Sequence, residues 1–150
     1  MNRPIFDQLN IVSADPEASV EFYRRLGIDI PESAIWATSS GVHHVSATRA
    51  LNGVEPELEI DSIAFARLWN SGWRGRDDLQ GKVVLGFRVE SRSAVDALYA
   101  ELVAAGYKGI QEPHDAFWGS RYAIVEDPDH VAVGLMSPRS AELRSEPPKL

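Results

Sequence analysis

The sequence repeats one pattern of elements, and this repeat constrains the fold more than any other feature. Asp15 followed by Pro16 predicts the start of a helix, and Ser91 predicts the start of a second helix 76 positions later (91 − 15). The same spacing pairs the apolar residues of two candidate strands, Leu9 with Leu85 and Ile11 with Phe87. A spacing kept across a strand and a helix indicates two copies of one supersecondary unit.

Each copy reads as a strand, a helix and three further strands. Alternating apolar residues predict the first strand at about residues 7–13, and Gly27 ends the helix that follows. In the second copy GKVVLGFRV predicts the strand, and the helix runs from Ser91 to Gly106. The remaining strand candidates are AIWATSS, GVHHVSATR and VEPELEI in the first copy, and YKGIQEP, SRYAIVED and HVAVGLM in the second.

These elements predict an α+β domain made of two tandem βαβββ modules. The modules span about residues 5–61 and 81–137, with a linker at about 62–80 and a mobile tail at 138–150. Within the first module, Asn52 and Gly53 predict a hairpin turn before the fourth strand. Residues 62–80 contain a short amphipathic turn or helix and then a segment rich in Gly, Arg and Asp.

Composition excludes several classes of function. The chain has no cysteine, which excludes disulfides and thiolate metal sites. A formal net charge of −7 repels phosphate backbones, so we expect no nucleic-acid partner. No apolar run approaches the roughly 18 residues of a membrane helix, and the N-terminal segment lacks the apolar core of a signal peptide. We therefore expect a cytoplasmic protein with no membrane partner.

The tandem order, with DPEASVEFYRRLG in the first module and WGSRYAIVEDPDH in the second, resembles the vicinal oxygen chelate superfamily. That superfamily includes glyoxalase I, extradiol dioxygenases, fosfomycin resistance enzymes and bleomycin resistance proteins. The resemblance covers residues 5–137 and implies cupped mixed sheets around a cavity. It also implies a homodimer, because relatives usually complete the cavity with a second chain.

In metal-using relatives the ligands lie in the first and fourth strands of each module. The corresponding residues are Gln8 and Glu57 in the first module, with Glu59 as an alternative donor, and Val84 and Gly134 in the second. Neither Val84 nor Gly134 has a side-chain donor, so we expect the usual metal site to be absent. Gly134 is expected to leave open space where a carboxylate would lie.

The four histidines also have interpretations that need no metal. His43 and His44 are adjacent, so in a strand they point to opposite faces and at most one faces a cavity. His114 is expected in an exposed loop. His130 stands where relatives have the glycine of a DPDG turn, and a turn role with positive φ suffices for it.

Because the usual metal site is expected to be absent, the aromatic residues are the more informative candidates for ligand binding. Large rings around a cavity stack on planar or cationic ligands, although buried tryptophans also fill cores. Core filling is the favoured interpretation for Trp69, which shares a helical stripe with Phe65. Trp118 has the better claim to a cavity position, because the resemblance implies that FWGSR lies at a hairpin near the cavity mouth. The aromatic residues outside the two main helices that we considered are Trp36, Trp69, Trp73, Phe117, Trp118 and Tyr122.

Two hypotheses of function remain from the sequence. The first is a metal-free binding protein of the bleomycin resistance type, which sequesters a small aromatic or cationic compound, without a cofactor and without chemistry. The alternative is a metal-dependent lyase, isomerase or dioxygenase of the glyoxalase type, with a divalent ion at Gln8, Glu57 and a histidine. No catalytic residue can be assigned. The predicted ligand-binding residues are Gln8, Asn10, Trp36, His44, Glu57, Phe87, Phe117, Trp118 and Tyr122.

Overall fold

A computed structural model describes residues 8–47, 57–69 and 83–146 of the chain. The chain divides into two compact units, residues 1–76 and 77–150. Each unit has a four-stranded mixed sheet with a helix after its first strand, which confirms the α+β class and the two similar modules. Among the helices that the structure describes, none is both long enough and apolar enough to cross a membrane.

The first unit contains four strands and two helices. Strand β1 is parallel to β4, and the other neighbouring strands are antiparallel, in the order β1-β4-β3-β2. The elements are β1 (Gln8–Ser13), α1 (Pro16–Arg25), a 3-10 turn (Glu32–Ala34), β2 (Ile35–Thr38), β3 (Gly41–Ala47), β4 (Glu57–Ser62) and α2 (Ile63–Trp69).

Helix α1 begins and ends where the sequence predicts. The Asp15 side chain accepts a hydrogen bond from the Ala18 N–H at 3.0 Å, and Gly27 follows the last turn with a φ of +84°. The helix buries Phe22 and Tyr23 completely. These rings contribute to the core of the first unit, together with the apolar residues on one face of its sheet.

The second unit repeats this architecture. Strand β5 is parallel to β8, and the order of strands is β5-β8-β7-β6. Ser91 caps α3 by accepting a hydrogen bond from the Ala94 N–H at 3.1 Å, as predicted. The elements are β5 (Val84–Arg88), α3 (Arg92–Ala104), β6 (Gly109–Asp115), β7 (Arg121–Glu126), β8 (Ala132–Met136) and a 3-10 turn (Ala141–Leu143).

The register of the parallel strands corrects the alignment of the fourth strands. In the first unit Asn10 lies opposite Glu59, and in the second Gly86 lies opposite Gly134. Because Asn10 and Gly86 are 76 positions apart (86 − 10), Gly134 corresponds to Glu59 rather than to Glu57. The residue that corresponds to Glu57 is Ala132, which also has no donor atom.

Two further expectations differ from the structure. His114 lies in strand β6, not in a loop. The segment after Pro138, expected to be a mobile tail, is bonded to the loop between β6 and β7: the Ser140 N–H donates to the Gly119 carbonyl, and the Ser145 N–H donates to that of Phe117, both at 3.0 Å. The Asn52-Gly53 turn, Trp73 and most of the linker lie outside the described residues.

Candidate functional site

The two faces of the first sheet differ in chemistry. Val45 and Ile60 are paired across β3 and β4 and are completely buried, so their face carries the core. Their neighbours His44 and Asp61 are paired on the opposite face. The His43 imidazole lies instead within hydrogen-bonding distance of Ser62 on the core side. The two adjacent histidines therefore point to opposite faces, as the sequence predicts.

A hydrogen-bonded polar cluster occupies the open face of the first sheet. His44 Nδ1 lies 2.6 Å from the Oδ1 atom of Asp61, whose side chain is only 3% exposed. The Asn10 amide donates to Asp61 at 2.9 Å and to Glu59 at 3.2 Å. One amide thus binds two carboxylates, so that the charge of the nearly buried Asp61 is satisfied from two sides.

Aromatic rings lie beside this polar cluster. The ring of Phe65, in α2, is 5.7 Å from that of His44 and 5.3 Å from that of Trp36, measured between centroids. Trp36 is 48% exposed. In the neutral tautomer that donates its Nδ1 hydrogen to Asp61, the Nε2 atom of His44 is a hydrogen-bond acceptor. This face can therefore accept a polar group next to an aromatic surface.

The second sheet carries a different group on its open face, which we call the aromatic cluster: His114, Phe117, Trp118 and Tyr122. The Tyr122 ring lies 5.3 Å from that of Trp118 and 6.0 Å from that of His114. The Phe117 ring is 5.1 Å from that of Trp118. All three pairs meet edge to face, which is a favourable arrangement for aromatic rings. Burial raises the pKa of the Tyr122 hydroxyl above its ordinary value.

The space above Gly134 is filled. A β-carbon on Gly134 would lie 2.6 Å from the Tyr122 hydroxyl oxygen and 2.9 Å from a ring carbon of the same residue. The expectation of open space at this position is therefore wrong, because the phenol ring covers the backbone where a carboxylate would otherwise extend.

Trp118 has an unsatisfied polar atom. Its indole Nε1 is buried and has no hydrogen-bond partner among the described residues. The loop that holds Trp118 depends on Gly119, whose φ is +90°. A β-carbon on Gly119 would also lie too close to the carbonyl oxygen of Ser140. A buried indole N–H without an acceptor costs free energy.

The predicted site residues fall into separate groups. Asn10, Trp36 and His44 belong to the first unit, while Phe117, Trp118 and Tyr122 meet in the aromatic cluster of the second. Glu57 is half-buried at the start of β4, opposite Gln8, whose side chain lies outside the described part of the structure.

Phe87 does not join the aromatic cluster. It pairs with Leu135, which pairs with Ala123, and this row includes the buried residues of the core face. Because side chains alternate along a strand, Phe87 and Tyr122 point to opposite faces of the sheet. Sequence reasoning missed His114 and Asp61 as site residues, and it considered Glu59 only as an alternative metal donor. Glu59 and Asp61 follow Glu57 at intervals of two residues along β4, and His44 was already a predicted site residue. This alternation was the signal available in the sequence.

Each unit has a cleft among its described residues. The first, of about 370 Å³, lies at the start of α1 on the core side of His43, and no predicted site residue lines it. The second, of about 430 Å³, lies at the end of β5 and β8. It is lined by Arg88, Met136, Ser137, Pro138 and Arg139.

The donor atoms do not fit the metal arrangement that the sequence resemblance implies. In the second unit the corresponding residues are Val84, Ala132 and Gly134, which offer no side-chain donor, and the Tyr122 ring covers the last of them. In the first unit the Asn10 amide already donates to both Glu59 and Asp61. Among the described residues, no three histidine or carboxylate side chains are arranged to hold a metal ion.

Comparisons with known proteins agree with the fold. A crystal structure of a glyoxalase/bleomycin resistance protein/dioxygenase from Nocardioides is 20% identical, covers 100% of this chain and 91% of its own, and has a TM-score of 0.67. An enzyme of the same family from Burkholderia phytofirmans PsJN is 20% identical, with coverage of 89% and 98% and a TM-score of 0.68. TnmS3, an antibiotic binding protein from Streptomyces sp. CB03234, is 22% identical, with coverage of 92% and 98% and a TM-score of 0.60.

A search of curated proteins found no match. The model of the Glyoxalase/Bleomycin resistance protein/Dioxygenase superfamily matches residues 5–135, which include both repeated modules. The chain therefore belongs to the glyoxalase/bleomycin resistance protein/dioxygenase superfamily.

Proposed function

We propose that this protein binds a small aromatic or cationic compound on the aromatic cluster of its second unit, and that binding needs no metal ion. The observation that carries the proposal is the set of edge-to-face rings around Trp118, whose indole N–H has no acceptor among the described residues. Aromatic faces attract planar rings and cations.

The side chains at the metal positions support binding over metal-dependent chemistry. Val84, Ala132 and Gly134 leave the second unit without side-chain donors at the positions where metal-using relatives have them. The alternative of a glyoxalase-type lyase, isomerase or dioxygenase would need metal ligands from outside these positions, such as Gln8 and Glu57 of the first unit. Ring stacking and apolar burial on the aromatic cluster then supply affinity without a metal.

A structural neighbour indicates which class of compound to test first. TnmS3 is described as an antibiotic binding protein, and it has the same fold at 22% identity. We therefore propose aromatic antibiotics as the first candidates, and a role in antibiotic resistance by sequestration. The compound would be held without being changed, so the complex should release it intact on denaturation.

The decisive experiment is a titration of protein treated with EDTA. Native mass spectrometry and tryptophan fluorescence against a panel of aromatic antibiotics and metabolites should reveal a one-to-one complex that survives the chelator. Recovery of the unmodified compound from that complex supports sequestration. Binding that appears only after a divalent ion is restored, or turnover of the compound, would contradict the proposal.

A further inference from the structure

We infer that the second unit also binds a negatively charged group, so that the ligand of the aromatic cluster is an aromatic anion such as a carboxylate, sulfonate or phosphate. The inference rests on the proposed function, because it concerns the same ligand. It selects an aromatic anion over a cation, and it assigns Arg88 and Arg139 as residues that determine specificity.

Arg88 lies in one row with the aromatic cluster. Strand register pairs Arg88 with Met136, Met136 with Tyr122, and Tyr122 with His114. Paired residues point to the same face of a sheet, so the row runs across all four strands on the open face. Arg88 and Tyr122 are two strands apart, which corresponds to about 10 Å between their backbones. A ligand of ordinary size can contact both.

A cleft of about 430 Å³ lies at the Arg88 end of this row. Arg139 lines it together with Arg88, so two guanidinium groups border the same space. Both arginines are exposed, and neither has a carboxylate partner within the ranges 8–47, 57–69 and 83–146. Arg121 in the same unit differs, because it contacts Asp96 and Asp115 at 2.9 Å each.

The other polar groups of the cleft are already engaged. The Ser137 hydroxyl donates to the Pro138 carbonyl at 3.1 Å and accepts from the Arg121 N–H at 2.9 Å. The guanidinium groups therefore remain as the donors for a ligand. Arginine binds carboxylates, sulfonates and phosphates through two parallel hydrogen bonds.

A matched pair of fluorescent probes tests the inference. 8-Anilinonaphthalene-1-sulfonate and N-phenyl-1-naphthylamine share one ring system, and only the first has a sulfonate. We expect the sulfonate probe to bind EDTA-treated protein more tightly, with a Kd that rises with salt. Arg88→Gln should raise that Kd by about 5- to 50-fold and change the Kd of the neutral probe by less than about twofold.

Arg25→Gln is the matched control, because it removes the same charge from α1 of the first unit. It should leave both dissociation constants within about twofold, since Arg25 is not among the residues that line the cleft and its guanidinium is paired with Glu21. Arg139→Gln should reproduce the Arg88→Gln effect in a weaker form. Arg88 and Arg139 are both exposed, so neither substitution should disturb folding. The circular dichroism spectrum of each variant should therefore match that of the wild type.

The outcomes separate the inference from the proposed function. Equal affinity for the two probes, or equal loss with Arg88→Gln and Arg25→Gln, overturns the anion site while leaving aromatic binding intact. Failure of the metal-free protein to bind either probe or any compound of the antibiotic panel overturns both. Tighter binding of the sulfonate probe that depends on Arg88 supports both.

Discussion

The phenol ring of Tyr122 rests on the backbone of Gly134. A β-carbon at position 134 would be 2.6 Å from the Tyr122 hydroxyl oxygen, closer than side chains tolerate. The two residues are diagonal neighbours on β7 and β8, a separation that aromatic side chains can span. The position that corresponds to Glu59 of the first unit thus seats one ring of the aromatic cluster in the second.

This contact predicts that Gly134→Ala destabilises the protein. The new methyl group must displace the Tyr122 ring, and such overpacking costs about 1–3 kcal/mol of the free energy of unfolding. Gly86→Ala is the matched control, because the β-carbon there meets no atom within 4 Å. Urea unfolding of both variants checks the prediction, and a Gly134→Ala protein as stable as Gly86→Ala would show that the ring does not occupy this space.

Elements that depend on local chemistry were predictable from the sequence. The caps at Asp15 and Ser91 are satisfied by N–H groups three residues further along, so the sequence contains both partners. His130 has a φ of +67°, which confirms its predicted turn role. In each case the information lies within a few residues, and distant packing does not override it.

The register of the fourth strands could not be predicted. A slip of two residues keeps every side chain on the same face, so Glu57 and Glu59 give the same alternating pattern opposite Gly134. Backbone contacts between distant segments were equally invisible: the carbonyls of Phe117 and Gly119 bind the segment after Pro138 through main-chain hydrogen bonds that any sequence could make. His114 was misplaced because the predicted strand YKGIQEP ended at Pro113, whereas β6 continues to Asp115.

The donor chemistry predicts low metal content. Protein purified without chelator should contain far less than one equivalent of Zn, Ni, Mn or Fe per chain. Added divalent ions should not raise the Tm, because an ion that binds the folded state would stabilise it by mass action. Elemental analysis and thermal unfolding check the prediction. One tightly held ion per chain that is lost with Gln8→Ala and Glu57→Ala would contradict it.

Assembly is a further prediction. Apolar residues are exposed on three edge strands of the two sheets, with Trp36, Val84 and Ile110 each 47–48% exposed in the single chain. Burying such surface against an identical surface favours a two-fold homodimer. Light scattering at micromolar concentration should give twice the 16.6 kDa of one chain. A monomeric mass would count against the dimer, and Trp36→Lys or Ile110→Lys should identify the edge involved.

The turn between β7 and β8 predicts a pH dependence of stability. The Glu126 carboxylate accepts a hydrogen bond from His130 at 2.8 Å, which raises the pKa of that imidazole above its ordinary value of 6.5. The same hydrogen bond, together with Lys108, lowers the pKa of Glu126 below 4.5. The contribution of His130 to the free energy of unfolding is fully present below pH 6.5, and it is lost as pH rises through the raised pKa of the imidazole.

The contribution of Glu126 to the free energy of unfolding is present above pH 4.5, and it is lost as pH falls through the lowered pKa of the carboxyl group. The pair is therefore fully formed between about pH 4.5 and 6.5. His130→Asn keeps a residue that tolerates positive φ but removes the charge. Its Tm should fall below that of the wild type within this window, and the difference should narrow at alkaline pH. A Tm difference that is constant with pH would rule out the ion pair as its cause.

The last prediction concerns Trp118, because a site without a metal must obtain its affinity from burial, stacking and a few hydrogen bonds. The Trp118 ring contacts those of Phe117 and Tyr122, and its N–H has no acceptor among the described residues. Stacking on one indole face contributes about 1–3 kcal/mol, so Trp118→Ala should weaken ligand binding by roughly 5- to 150-fold. Trp118→Phe retains a ring and should lose less.

Thermal unfolding of the same variants separates a binding role from a packing role. Trp118 is only half-buried, so its truncation should lower stability less than it lowers affinity. If the ring mainly fills a core, Trp118→Ala should instead cost about 3–5 kcal/mol of the free energy of unfolding, with little loss of affinity in the refolded protein. Measuring the Kd of one ligand and the free energy of unfolding on both variants decides between these roles, because binding and packing predict opposite rankings of the two losses.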